Sequence, residues 1–120
     1  MVAELVSELR PRTKQFAIAV FEFCDALPDE PSCRVIRRQL MRSASSIGAN
    51  YRAACHAQSR AEFLSKMSIA EEEADETEYW LDLLDELDHA PETPLGNLQD
   101  EAHQITSMII ASIKTAREKQ

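Results

Sequence analysis

Seven residues between positions 63 and 84, namely Phe63, Met67, Ala70, Ala74, Thr77, Leu81 and Leu84, recur at alternating steps of four and three. No strand can use that spacing, because side chains on a strand alternate with a period of two. A helix can use it, and over about six turns the pattern makes the seam of a supercoiled helical bundle. A second line on the same helix holds Ile69, Glu73, Glu76, Trp80, Leu83 and Leu87, while Glu71, Asp75, Glu78 and Asp82 lie on the opposite flank. Ser59 followed by Glu62 forms a capping box, which places the helix start at Arg60.

The preceding stretch repeats the theme. Ile36, Leu40, Ala44, Ile47, Tyr51 and Ala54 share one helix face, and Gln39, Arg42, Ser46 and Asn50 form a second line beside it. Folding the two helices into a hairpin about residue 58 brings Arg42 level with residues 74–76, since the rise per residue is equal on both sides. Arg42 is therefore expected to meet Glu73 or Glu76, in a partly buried polar network made of Gln39, Arg42, Ser46, Asn50, Glu73 and Glu76.

Two further helices flank this pair. Residues 1–10 read as a short lead-in or a frayed turn, with Pro11 in the first turn of helix one and Phe16, Val20, Phe23 and Leu27 on its buried face. LPDEPS breaks the helix at positions 27–32, with Ser32 as the expected cap of helix two. HAPETPLG breaks the chain again at positions 89–96, with Thr93 as cap and Pro94 as the first helical residue. Helix four then carries Leu98, Ala102, Ile105, Ile109, Ser112 and Ala116, flanked by Ile110 and Ile113. The expected helices span about 11–27, 33–57, 60–88 and 94–117, in one domain covering 1–120. Two glycines and 6% aromatic residues suit helices better than a turn-rich sheet. The expected architecture is all-α, an antiparallel up-down-up-down four-helix bundle.

Composition narrows the function. No apolar run approaches the ~18 residues of a membrane span, and the acidic start has no signal-like core, so the expected location is the cytoplasm. Cys24, Cys33 and Cys55 are odd in number and lack metal-type spacing, which fits small buried thiols in a reducing compartment. Residues 1–60 hold nine Lys/Arg and six Asp/Glu, a balance of +3; residues 61–120 hold four and fifteen, a balance of −11, and together these make the net −8. Such halves suit mutual packing and disfavour a strong polyanion-binding field over the whole molecule.

Catalytic and metal readings fare poorly. Glu86 and His89, like Asp100 and His103, have the acid-x-x-His spacing of di-metal bundles. That chemistry needs inward carboxylates from all four helices, and helix two has no acid between Ser32 and Gln58. His56, His89 and His103 fall in or near expected helix-end turns with no nucleophile placed beside them. Gly48 and Gly96 stand alone, so no phosphate loop exists. No cofactor, metal or catalytic residue is assigned.

Two binding hints remain. Arg34, Arg37, Arg38 and Arg52, with Arg42, could form a phosphate-contacting ridge, although pairing with acidic helix three is the favoured role for these charges. Ile69, Trp80, Leu83 and Leu87 widen the apolar side of helix three beyond its seam and are the candidate subunit contact.

SSIGANYRAA followed by SRAEFLSKMSIAEEEADETEYWLDLL resembles the S23-type four-helix-bundle family, also described as the ribosomal RNA intervening-sequence protein family. The similarity runs from about Arg12 through helix four. The family pattern is matched by Ser46, Ile47 and Asn50, by Arg42, by Ser59, Glu62 and Phe63, and by Glu73 and Glu76. Ala53 stands where many members have glutamate, and Met41 where many have a second basic residue. The resemblance implies a small cytosolic, non-enzymatic bundle, often a ring-like homopentamer. It also implies relatives encoded within intervening sequences of large-subunit ribosomal RNA genes, and distant ones that bind nucleic acid as accessory proteins of diversity-generating retroelements.

The reading that joins these strands is a non-catalytic homo-oligomeric binding or scaffold module whose partner is itself, with five subunits implied by the resemblance. The alternative is an RNA- or DNA-binding accessory protein using the arginines of helix two.

Overall fold

The computed structural model describes the backbone of residues 2–119 and the side chains of residues 8–119. Four helices account for nearly all of it: α1 Val2–Asp25, α2 Pro31–Cys55, α3 Arg60–Leu87 and α4 Glu92–Glu118. No described residue lies in a strand. Each helix packs against two neighbours, α1 on α2, α2 on α3, α3 on α4 and α4 back on α1, and the diagonal pairs stay apart. This closed ring of contacts is a helical bundle, 49 Å long and about 20 Å across.

The start of α1 corrects the sequence expectation. Residues 2–10 are helical rather than a lead-in, and Pro11 lies inside the helix instead of opening it. A proline there removes one N–H from the hydrogen-bond ladder and crowds the turn before it. Leu9, fully buried, offsets that cost by extending the buried stripe two turns ahead of Phe16, at roughly 1.5–3 kcal/mol for a buried leucine. Further along, Phe16, Val20 and Leu27 are buried as expected, but Cys24 takes the buried place expected of Phe23, which packs at the edge of the core.

Helix caps divide into one match and two corrections. Ser59 accepts from the Glu62 N–H at 3.0 Å, and the Glu62 carboxylate accepts in return from the Gln58 N–H at 3.2 Å. Helix α2 begins earlier than expected: Glu30 is its cap without a side-chain bond, and Pro31 takes the first turn. Pro31 is preset for helical φ, so the chain is already helical when it reaches Ser32. Likewise α4 begins at Glu92 behind Pro91, which leaves Thr93 and Pro94 within the first turn. Pro94 costs nothing there, since first-turn N–H groups have no partner in the helix. Asp88 ends α3 in the left-handed region, with φ 56°.

The core is aliphatic and closely spaced. Ile36, Leu40, Ala44, Ile47, Tyr51 and Ala54 from α2 meet Met67, Ala70, Ala74, Thr77, Leu81 and Leu84 from α3, all buried. Phe63, the first seam residue, is half-buried because it sits at the open end near the α2–α3 connection. Leu98, Ala102, Ile105, Ile109, Ser112 and Ile113 supply the α4 side, while Ile110 is exposed. Four hydroxyl side chains, Thr13, Ser43, Thr77 and Ser112, are buried, each within hydrogen-bond distance of a backbone carbonyl. Cys24 and Cys33 are buried free thiols, and burial pushes the Cys24 thiol up to about 12, which keeps it protonated and unreactive. Among the described residues, no helix is long and apolar enough to cross a membrane.

Candidate functional site

The α2–α3 seam carries the polar cluster. Arg42 Nη1 donates to Glu73 Oε2 at 3.1 Å, its Nη2 donates to Glu76 Oε2, and its Nε donates to Gln39 Oε1 at 3.3 Å. Trp80 Nε1 donates to the same Glu76 oxygen at 2.9 Å. The register that the hairpin argument expected is thus the one observed. The cluster is partly buried as expected except at the arginine itself, whose side chain is 48% exposed, while Glu73 is only 18% exposed. An arginine half in water gains little from its carboxylates, because solvent screens the attraction.

Only four of the six expected network residues come together. Asn50 Nδ2 donates to the Ser46 carbonyl and hydroxyl, both at 2.9 Å, so these two satisfy each other within α2. The link beneath Arg42 comes instead from Ser43, which the two-line reading of α2 passed over. Thr77 Oγ1 donates to Ser43 Oγ at 2.9 Å and lies 2.8 Å from the Glu73 carbonyl, joining the helices inside the core. A serine one residue beyond Arg42, level with a seam threonine, was the available signal.

The candidate contact residues line the outer edge of this seam. Ile69, Trp80 and Leu83 are half-buried, and Leu87 is exposed. Trp80 and Leu83 pack against the core, so part of this second line serves the protomer's own interior. Tyr79 adds to the exposed part at 58%, its ring edge-on to Trp80 at 5.1 Å between centroids. Val35, one turn before Gln39 on α2, is 59% exposed.

The arginine ridge does not survive as a unit. Arg37 donates to the carbonyls of Cys24, Leu27 and Pro28, where it caps the end of α1. Arg34 pairs with Asp29 at 2.8 Å and holds that carboxyl below its ordinary range. With Arg42 engaged by glutamates of α3, Arg38 and Arg52 are the α2 arginines whose side chains show neither an ion pair nor a hydrogen bond among the described residues.

A second clasp, absent from the sequence reading, joins α1 to α4. Arg12 grips Glu101 bidentately at 2.9 and 2.7 Å and also reaches Glu8 at 2.9 Å and Gln104 at 2.8 Å. It is half as exposed as Arg42, at 24%. The hydrogen bond to Glu101 raises the guanidinium's pKa further still. Glu8 and Arg12 at i, i+4 were visible in the sequence; nothing there pointed to Glu101.

The histidines hold no metal-binding arrangement. His103 lies within α4 rather than near a helix end, 3.2 Å from Glu78, and His89 faces Glu30 at 3.6 Å across the connections at one end of the bundle. Among the described residues, no three His, Cys, Asp or Glu side chains gather as a metal-binding group.

A family model described as 23S rRNA-intervening sequence protein matches residues 8–111. A crystal structure of a protein with unknown function from the S23 ribosomal protein family of Bacteroides thetaiotaomicron VPI-5482 superposes with a TM-score of 0.85. It is 34% identical and covers 92% of this chain and 98% of its own. No curated protein matches.

Proposed function

The chain belongs to the 23S rRNA-intervening sequence protein family, and from that premise we propose that it is a non-catalytic, self-associating binding or scaffold module of the cytoplasm. The four helices are read as an antiparallel up-down-up-down bundle. Pairings along α3 and α4 support this, since Arg60 meets Ala116, Glu78 meets His103 and Asp82 meets Gln99. Three free cysteines fit a reducing compartment.

The observation that carries self-association is the apolar band on the outer α2–α3 seam. Tyr79, Leu87 and Val35 are exposed and Trp80 and Leu83 half-buried on the two helices that Arg42 links through Glu73 and Glu76, a cluster with one carboxylate charge in excess. A patch that joins exposed aromatic and aliphatic groups to a hydrogen-bonded polar centre is what subunit contacts are built from. Roughly several hundred Å² removed from water at ~25 cal/mol per Å² outweighs association costs once a ring closes and every subunit uses the patch. Five subunits is the number the family resemblance implies; the band itself argues for self-association of any order.

Light scattering coupled to size exclusion tests this on the parent and on Trp80→Glu. The parent is expected to elute as a closed oligomer and Trp80→Glu as a smaller species. A concentration-independent parent mass of 13.6 kDa ends the proposal.

A further inference from the structure

On the side of α2 away from α3, a cleft of about 440 Å³ opens between α1 and α2. Its volume falls within the ~300–1,000 Å³ of small-molecule sites. Three of the residues lining it are cations, Arg10, Lys14 and Arg52, and none is an acid. Its floor is small and closely packed: a Cβ on Gly48 would sit 3.2 Å from Thr13 Oγ1, so a side chain there would crowd Thr13 on α1. Buried Tyr51 and the surfaces of Pro11 and Ala49 give the cleft an apolar lining beneath the charged rim.

The charge pattern around it is unlike the rest of the molecule. Of 21 acids in the chain, α2 contains none, and α1 contains none between Glu8 and Glu22. Glu8 is engaged by Arg12. Arg10, Lys14 and Arg52 have no ion pair among the described residues, whereas Arg12, Arg34 and Arg42 are each matched to carboxylates. Three cations brought together from two helices, with no carboxylate paired to them among the described residues, repel one another at a cost in stability. A multiply charged anion relieves that repulsion.

We propose that the α1–α2 cleft binds a phosphate-bearing ligand of about nucleotide size, with Arg10, Lys14 and Arg52 on its phosphates and its apolar body against Pro11, Ala49 and Tyr51. Guanidinium and ammonium groups on one rim suit phosphate oxygens, and arginine can bind them bidentately. This site lies outside the α2–α3 band and does not depend on the oligomer.

Isothermal titration of the full chain with ATP, with inorganic pyrophosphate and with a short single-stranded RNA tests it and separates a small ligand from a nucleic-acid backbone. ATP or pyrophosphate is expected to bind with one site per chain. Arg10→Ala/Arg52→Ala should weaken binding at least about tenfold, Ala49→Phe should block it by filling the cleft, and Arg38→Ala should leave it within about twofold. Equal losses for Arg38→Ala and the cleft variants overturn the site, since they show only a diffuse positive field. Binding of RNA without either small ligand overturns it as well, as does no heat from any of the three at physiological salt.

Discussion

Arg12 and Arg42 close two seams of the same bundle by the same chemistry and differ in how much water they keep. Arg42 spreads over Glu73 and Glu76 on α3 while half exposed, and Arg12 takes Glu101 on α4 in both arms with three-quarters of its surface covered. Beneath Arg42 lies a buried hydroxyl pair, Ser43 and Thr77, that holds α2 to α3 without it. Beside Arg12 the extra partners are two exposed polar groups, Glu8 and Gln104, and the half-buried sulfur of Met108, all recruited by the guanidinium itself. The lesson is that an ion pair matters in proportion to what else the seam has. The α2–α3 seam has a core link, and the α1–α4 seam depends on its arginine.

The sharpest way to break that comparison is Arg12→Ala. It strands Glu101, which is about one-third exposed, and removes the charge-assisted bonds of α1 to α4. The expected loss is about 2 kcal/mol, between the values for exposed and fully buried pairs, read as a lowered midpoint in urea unfolding. A smaller loss than for Arg42→Ala inverts the ranking.

The next effect is expected at Thr77. Thr77→Val deletes a buried donor and should cost about 1 kcal/mol, whereas Ser43→Ala/Thr77→Val, which removes both hydroxyls, should cost less than the sum of the single changes. Additive losses in the double-mutant cycle mean the two hydroxyls are independent, and the core link claimed for this seam is not there.

Arg42→Ala comes last, at roughly 0.5–1 kcal/mol, and most of that should vanish in 1 M salt. A penalty that instead grows with protein concentration places Arg42 inside a subunit contact, where association has taken the water away. That result sharpens the comparison by making the exposed seam the buried one in the assembly.

The difference between the seams also explains what could be read from the chain. Residues 36–54 and 63–84 belong to one hairpin with a four-residue connection, 56–59, so equal rise per residue places Arg42 opposite Glu73 and Glu76 by counting. Arg12 and Glu101 lie on the first and last helices, and no counting rule relates their registers. Periodicity likewise reported the α2 and α3 cores correctly, because each buried line there has a clean spacing. It failed at the start of α1, where Pro11 argued for a helix boundary and the burial of Leu9 argued against one. The caps of α2 and α4 were misplaced because Ser32 and Thr93 sit beside prolines, and a preset proline decided the helix start before the hydroxyl could. The α1–α2 cleft was invisible for a related reason: Arg10 and Arg52 are 42 positions apart, and only the packing of α1 on α2, close at Gly48 and Thr13, brings them together.

Separation along the chain has a consequence in time as well. Arg42 finds its glutamates 31 and 34 residues away, and Arg12 finds Glu101 across 89. Closing the longer loop costs about 1 kcal/mol more in chain entropy, so the α2–α3 hairpin should form early and the α1–α4 seam should zip shut late. In stopped-flow chevrons, Arg12→Ala should therefore act on the unfolding limb and leave the folding limb nearly unmoved, while Thr77→Val slows folding. On this view the Arg12 clasp governs how long the assembled bundle survives rather than how quickly it is made.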